Sequence, residues 1–127
     1  MDLQLQDKVA LVTGGSKGIG LGIVRSLIAE GVKVVNVNRS EAEGRALEAE
    51  YASQDKDCVF VQGDLTDTDA CRNAVETTLQ RFGRIDILVN NAGVNDGAGL
   101  DAGPEAFVAS LQKNLIHYYA MAHYALD

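Results

Sequence analysis

Apolar positions along the chain fall into short continuous runs that alternate with stretches of helical period. Lys8 to Thr13 is an apolar run closed by glycines, the pattern of a strand buried on both faces. Ile19 to Glu30 sets Ile23, Val24, Leu27 and Ile28 at helical spacing, and Gly31 supplies a stop. Lys33 to Val37 predicts a second strand, after which Ser40 is placed to cap a helix carrying Ala42, Ala46, Leu47 and Ala49 towards Tyr51. Cys58 to Val61 reads as a third strand. Asp67 to Phe82 reads as a third helix, with Ala70, Ala74, Val75 and Leu79 on one stripe. Ile85 to Val89 is a fourth strand, and a glycine-rich loop runs from Gly93 to Gly103. Pro104 then opens one helix to the C-terminus, with Phe107, Leu111, Leu115, Tyr118 and Ala122 as its apolar stripe. Alternation of this kind predicts an α/β fold, a parallel sheet with helices on both faces.

Composition narrows the function classes. The 127 residues carry 11 Lys and Arg against 18 Asp and Glu, a formal charge of -7, with 46% apolar and 23% charged residues. That is an ordinary globular balance, and its acidity argues against a nucleic-acid partner. No apolar run approaches the roughly 18–20 residues of a membrane span, and the polar N-terminus does not read as a secretory signal. Cys58 and Cys71 form no CxxC pair, so buried thiols in a reducing cytoplasm are expected. No metal is expected either. His117 and His123 miss the i, i+4 spacing of a helical metal pair, and Asp55, Asp57, Asp64, Asp67 and Asp69 read as solvated loop and helix-start charges.

The chemistry-bearing stretch is Thr13-Gly-Gly-Ser-Lys-Gly-Ile-Gly20, set between a strand and a helix. Glycines at 14, 18 and 20 let backbone approach a pyrophosphate, and the following helix aims free N–H groups at it. The generic GxGxxG fingerprint fails because Ile23 stands at its third glycine, and a phosphate loop fails because Leu21 follows Gly20. The pattern present is TGxxxGxG.

This stretch resembles the short-chain dehydrogenase/reductase family. Asn90-Asn-Ala-Gly93 after the fourth strand matches that family's NNAG motif, Asp64-Leu65 its adenine-contacting position, and Asn114 its active-site asparagine. The resemblance implies a Rossmann-like doubly wound sheet of strand order 3-2-1-4, of which residues 1–127 form the first, NAD(P)-binding half. The chain is expected to stop before a fifth strand and a YxxxK region. Tyr51, Tyr118 and Tyr119 are followed four residues later by Asp55, Ala122 and His123, so the family's tyrosine and lysine are not in this stretch, and neither is its serine. Of the catalytic set only Asn114 is present, and the 127 residues alone are expected to be inactive.

Cofactor binding is assigned to Gly14, Ser16, Lys17, Gly18, Ile19 and Gly20 of the loop, to Asn38 and Arg39 after the second strand, to Asp64 and Leu65, and to Asn90, Ala92 and Gly93. Thr13 has two roles open to it: a place in that site, or a hydroxyl tying the glycine loop to the fourth strand. Asn38 lies where an NAD-specific site carries an acid on the ribose 2′-hydroxyl, and Lys17 and Arg39 flank it, so NADP is expected, with NAD as the alternative. The implied activity is hydride transfer between nicotinamide and a secondary alcohol or carbonyl. Gly99 to Gly103 and Asn114 to Tyr119 further resemble sugar dehydrogenases of the bacterial L-fucose dehydrogenase type. A 3-oxoacyl thioester reductase, or a non-catalytic nucleotide-binding fragment, is the alternative. A small-molecule substrate and a homo-oligomer complete the expectation.

Overall fold

A computed structural model describes residues 1–126. Strands β1 (Val9–Thr13), β2 (Lys33–Asn38), β3 (Cys58–Gln62) and β4 (Ile87–Val89) form one parallel sheet in the expected order β3-β2-β1-β4. Helices α1 (Gly18–Ala29), α2 (Glu41–Ala52) and α3 (Thr68–Phe82) make the crossovers. After β4 come a 3₁₀ turn (Leu100–Ala102), α4 (Pro104–Leu111), a π-helical segment (Gln112–Ile116) and α5 (His117–Ala125).

Side-chain alternation along the strands splits the core into two layers. Ala10, Val12 and Val34 pack under Val24 and Ile28 of α1 and Leu47 and Tyr51 of α2. On the opposite face, Leu11, Val35, Val37 and Val61 pack against Cys71, Ala74 and Val75 of α3 and Ala120 and Met121 of α5. Full burial of β1 on both faces explains why its sequence is a run of apolar residues rather than an alternation. The same burial covers both thiols, at 5% exposure for Cys58 and 0% for Cys71. No helix among the described residues is long and apolar enough to cross a membrane.

Three helical faces differ from the expected ones. On α2 the buried face is Gly44, Leu47 and Tyr51, while Ala42, Ala46 and Ala49 are exposed, because the Phe60 ring lies directly over Gly44. On α3 Cys71 and Thr78 join Ala74 and Val75 inside, and Leu79 is 42% exposed. Thr78 can sit there because its hydroxyl donates to the Ala74 carbonyl at 2.8 Å, leaving only its methyl to pack. The last helix is not continuous. Its π-helical segment breaks the 3.6-residue period, so a stripe extrapolated from Phe107 does not stay on one face. Phe107 and Leu115 are exposed, and the buried residues of α5 are His117, Ala120 and Met121. Ser40 occupies the N-cap position of α2 but its side chain makes no capping bond.

Candidate functional site

The C-terminal ends of the four strands open into a cleft of about 780 Å³. Its floor is the turn from β1 into α1. Gly14 has φ +69°, a conformation L side chains rarely adopt, and Gly20 is pressed against it so closely that a Cβ there would collide with the Gly14 carbonyl and the Asn91 amide. No side chain among the described residues caps α1 and no acid stands in its first turn, so the N–H groups at its start, beside the cleft-lining Lys17, Ile19 and Gly20, have no side-chain acceptor there.

Two asparagines and a threonine hold this floor in place. The Thr13 hydroxyl accepts from the backbone N–H of Asn91 at 2.9 Å and of Ala92 at 3.0 Å, and donates to the Val89 carbonyl at 3.4 Å. Asn91 Nδ2 donates to the carbonyls of Thr13 at 3.2 Å and Gly14 at 3.0 Å. Together these clamp the glycine loop to the end of β4. On the β2 side, Asn36 is 1% exposed and its Oδ1 accepts from Gly15 N–H at 2.8 Å.

The rim carries the charge. Lys17, Asn38, Arg39 and Glu43 line one end, and Gly63, Asp64, Leu65 and Thr66 the adjoining wall. The hydroxyl and backbone N–H of Thr66 both donate to Asp64 Oδ1, at 2.7 and 3.0 Å. Those bonds, with the Arg39 charge adding to them, hold the Asp64 carboxyl below the usual carboxylate range. At the far end stand Gly93, Val94, Lys113 and His117. His117 is 1% exposed; its Nε2 lies 2.9 Å from the Lys113 carbonyl, and its Nδ1 is buried with no partner.

Of the residues singled out from the sequence, Gly14, Ser16, Lys17, Ile19, Gly20, Asn38, Arg39, Asp64, Leu65, Ala92 and Gly93 come together along this one cleft. Thr13, Gly18, Asn90 and Asn114 are not among its lining residues. Thr13 is fully buried, with its hydroxyl taken up by the clamp. Asn90 Nδ2 donates to the Tyr118 carbonyl at 3.1 Å and so ties β4 to α5. Asn114 sits just behind the cleft, its Oδ1 accepting from Val94 N–H at 2.6 Å and its Nδ2 donating to the Ser110 carbonyl at 3.1 Å. The sequence reading gave no role to Asn36 or Thr66, took Asn91 only as part of the NNAG motif and weighed His117 only as a metal ligand. A polar residue in mid-strand was the available signal for Asn36, and its repeated neighbour Asn90 the signal for Asn91.

Comparison with known proteins gives the same assignment. The family model described as short chain dehydrogenase matches residues 8–127. L-fucose dehydrogenase of Mus musculus is 41% identical over 121 residues, covering 94% of this chain and 43% of that protein. The 3-oxoacyl-[acyl-carrier-protein] reductase of Synechocystis sp. is 42% identical over 91 residues, 71% of this chain and 37% of that protein. A short chain dehydrogenase from Burkholderia cenocepacia, solved in complex with NADP, superposes with a TM-score of 0.89 at 36% identity, covering 96% of this chain and 51% of that one. This chain thus spans about half the length of the proteins it matches, and the relatives named for L-fucose are mammalian rather than the bacterial ones expected. A glycine-floored cleft at the carboxyl ends of a 3-2-1-4 sheet, and a family match across nearly every residue, place this chain in the short chain dehydrogenase family.

Proposed function

We propose that residues 1–127 are the cofactor-binding half of an NADP-dependent oxidoreductase that interconverts a secondary alcohol and a carbonyl, with a free sugar of the L-fucose kind as substrate. The observation that carries the reading is the cleft floor: an uncapped α1 start above a glycine turn so tightly closed that a Cβ at Gly20 would collide with the Gly14 carbonyl. The dinucleotide fits these residues. Gly14, Ser16, Ile19 and Gly20 would hold the diphosphate and ribose, Lys17 and Arg39 the 2′-phosphate, and Asp64 and Leu65 the adenine. Gly18 and Asn90 act from behind, through the conformation of the loop and the anchoring of β4. The bound nicotinamide would supply or accept the hydride, and Asn114, in the π-helical segment, would serve the reaction by holding the turn at Gly93 and Val94. The exposed apolar side chains of the last helices, Phe107 at 60%, Leu115 at 56% and Tyr119 at 76%, suit a second copy of the chain. Light scattering of the purified protein reads that state, and a strict monomer would exclude it.

The test of function is a turnover assay of the complete protein with NADP and a panel of aldoses, beside one with NADPH and a 3-oxoacyl thioester. Formation of NADPH dependent on L-fucose or a near stereoisomer is expected. Turnover of the thioester alone would transfer the assignment to the class of the Synechocystis relative. Tight NADP binding with no turnover of either would leave the chain a nucleotide-binding module.

A further inference from the structure

We propose that Asn36, a buried residue that lies beneath the cleft rather than on it, sets the preference for NADP over NAD by fixing which way the Asn38 amide points. The inference rests on the reading of the cleft as a dinucleotide site and concerns its selectivity.

Asn36 and Asn38 lie on the same face of β2, and every hydrogen-bonding atom of Asn36 is engaged. Its Oδ1 accepts from Gly15 N–H at 2.8 Å. Its Nδ2 donates to Ser16 Oγ at 2.9 Å and to Asn38 Oδ1 at 3.0 Å. The Ser16 hydroxyl, accepting from Asn36, donates onward to the same Asn38 Oδ1 at 2.7 Å. Asn38 Nδ2 donates to the Ser40 carbonyl at 2.9 Å.

An amide can ordinarily exchange its oxygen and nitrogen by a half-turn, but this chain has no such freedom. Its first group, the Gly15 N–H, can only donate, so the oxygen of Asn36 must face it and the nitrogen must face Ser16 and Asn38. The last group, the Ser40 carbonyl, can only accept, so the nitrogen of Asn38 must face outward. Both ends are backbone groups fixed by the fold, and each link has one allowed polarity. The approach at Gly15 is close: a Cβ there would stand 2.8 Å from Asn36 Oδ1.

The consequence is chemical. The carbonyl oxygen of Asn38 already accepts two hydrogen bonds, from Ser16 and Asn36, and the second N–H of its Nδ2 is left to the cleft that Asn38 lines beside Lys17 and Arg39. A ribose 2′-hydroxyl is best held by an acceptor, as a carboxylate provides; a 2′-phosphate needs donors. Position 38 therefore meets the nucleotide as a donor although an asparagine could be either. Asn36 holds the oxygen end of that amide and the Ser40 carbonyl its nitrogen end, so loss of Asn36 leaves Asn38 with one of its anchors gone.

The experiment measures NADP and NAD dissociation constants of the purified protein by calorimetry for wild type, Asn36→Val, Asn38→Ala and the double variant. Loss of one hydrogen bond to a charged group predicts a roughly ten-fold fall in the NADP-over-NAD ratio for Asn36→Val. A similar fall is expected for Asn38→Ala, with no further fall in the double variant. A merely structural role for Asn36 would weaken both nucleotides together and do so again in the Asn38→Ala background, and that result overturns the proposal. Asn38 is only half-buried, at the end of β2, so Asn38→Ala is the milder change and is expected to fold even where Asn36→Val does not; an unchanged ratio in Asn38→Ala alone also overturns it. If wild type binds neither nucleotide, the dinucleotide reading itself fails, which is a different outcome from binding with an unmoved ratio.

Discussion

Replacing Thr13 by valine tests whether the cleft floor is held by its hydroxyl. The substitution keeps the shape and the β-branching of a residue that is 0% exposed, and removes one oxygen. That oxygen accepts from Asn91 N–H at 2.9 Å and Ala92 N–H at 3.0 Å, and no other acceptor serves either group. A buried donor left unsatisfied costs about 1–3 kcal/mol. Asn91 and Ala92 are half-buried, so water reaches them in part and the lower half of that range applies to each. The bond to the Val89 carbonyl, at 3.4 Å, is long and adds little. The loss should therefore come to about 2–4 kcal/mol, a large share of the roughly 5–15 kcal/mol that stabilises a folded domain. Urea unfolding followed by circular dichroism measures it: the midpoint falls by about 1–2 M with the slope unchanged, and Thr13→Ser recovers most of the loss. Nucleotide affinity should fall along with stability, since the clamp positions Ala92 and Gly93. A valine variant within about 0.5 kcal/mol of wild type would refute the clamp, since that is the range of surface substitutions that touch nothing. Unchanged stability with lost nucleotide affinity would make Thr13 a direct contact instead.

Three further outcomes follow from the same geometry. Gly20→Ala forces the added carbon into the Gly14 carbonyl and the Asn91 amide, so it should destabilise by about 1–3 kcal/mol and weaken nucleotide binding more than ten-fold, read by melting and by titration. Arg39→Ala should weaken NADP roughly ten- to hundred-fold and NAD little; an equal loss for both would show that Arg39 serves the adenine or Asp64 rather than a 2′-phosphate. Burial, with the Glu48 and Glu50 charges behind it, pushes the Cys58 thiol from 9.0 up to about 12. Unfolded chains lose this proton near pH 9 while the folded one keeps it to about pH 12, so stability falls as pH rises through that window. Cys58→Ala should flatten this alkaline limb in urea titrations, and native protein should leave the thiol unlabelled by disulfide reagents at neutral pH.

How far the fold could be read from the chain depended on which signal each segment carried. Strand–helix alternation reported correctly on a parallel sheet with helices on both faces, because a fully buried parallel strand has to be apolar and a crossover has to be helical, while the strand order came from the family resemblance. Faces of helices were less legible. Ala42, Ala46 and Ala49 matched a helical stripe as well as Gly44, Leu47 and Tyr51 did, and only the position of the Phe60 ring decides between them. Thr78 looked polar and is buried, because a bond to its own helix removes its hydroxyl from the account. The π-helical segment at 112–116 left no mark in the residue types around it, yet it decides that His117 and Met121, not Leu115, face the core.

The site shows why motifs report contacts better than they report supports. Glycines at 14 and 20 are required by a positive φ and by backbone packed against backbone, and that requirement is strict enough to be read directly. Asn36 belongs to no motif, and the motif that contains Asn91 does not say what it holds, since each needs one backbone donor or carbonyl at the right distance, supplied by a segment remote in sequence. Gly15 is 21 residues from Asn36, and Thr13 is 78 from Asn91. A polar residue in the middle of a buried strand is costly unless every one of its atoms is paired, so its presence there already states that partners exist. Val34-Val35-Asn36-Val37 could have been read in that way: a strand that tolerates an asparagine at 1% exposure must be feeding the loop beside it. In the proposed network Asn36 is the link that carries the polarity of the Gly15 N–H on to Asn38, which is why loss of Asn36, and not only of Asn38, should move the nucleotide preference.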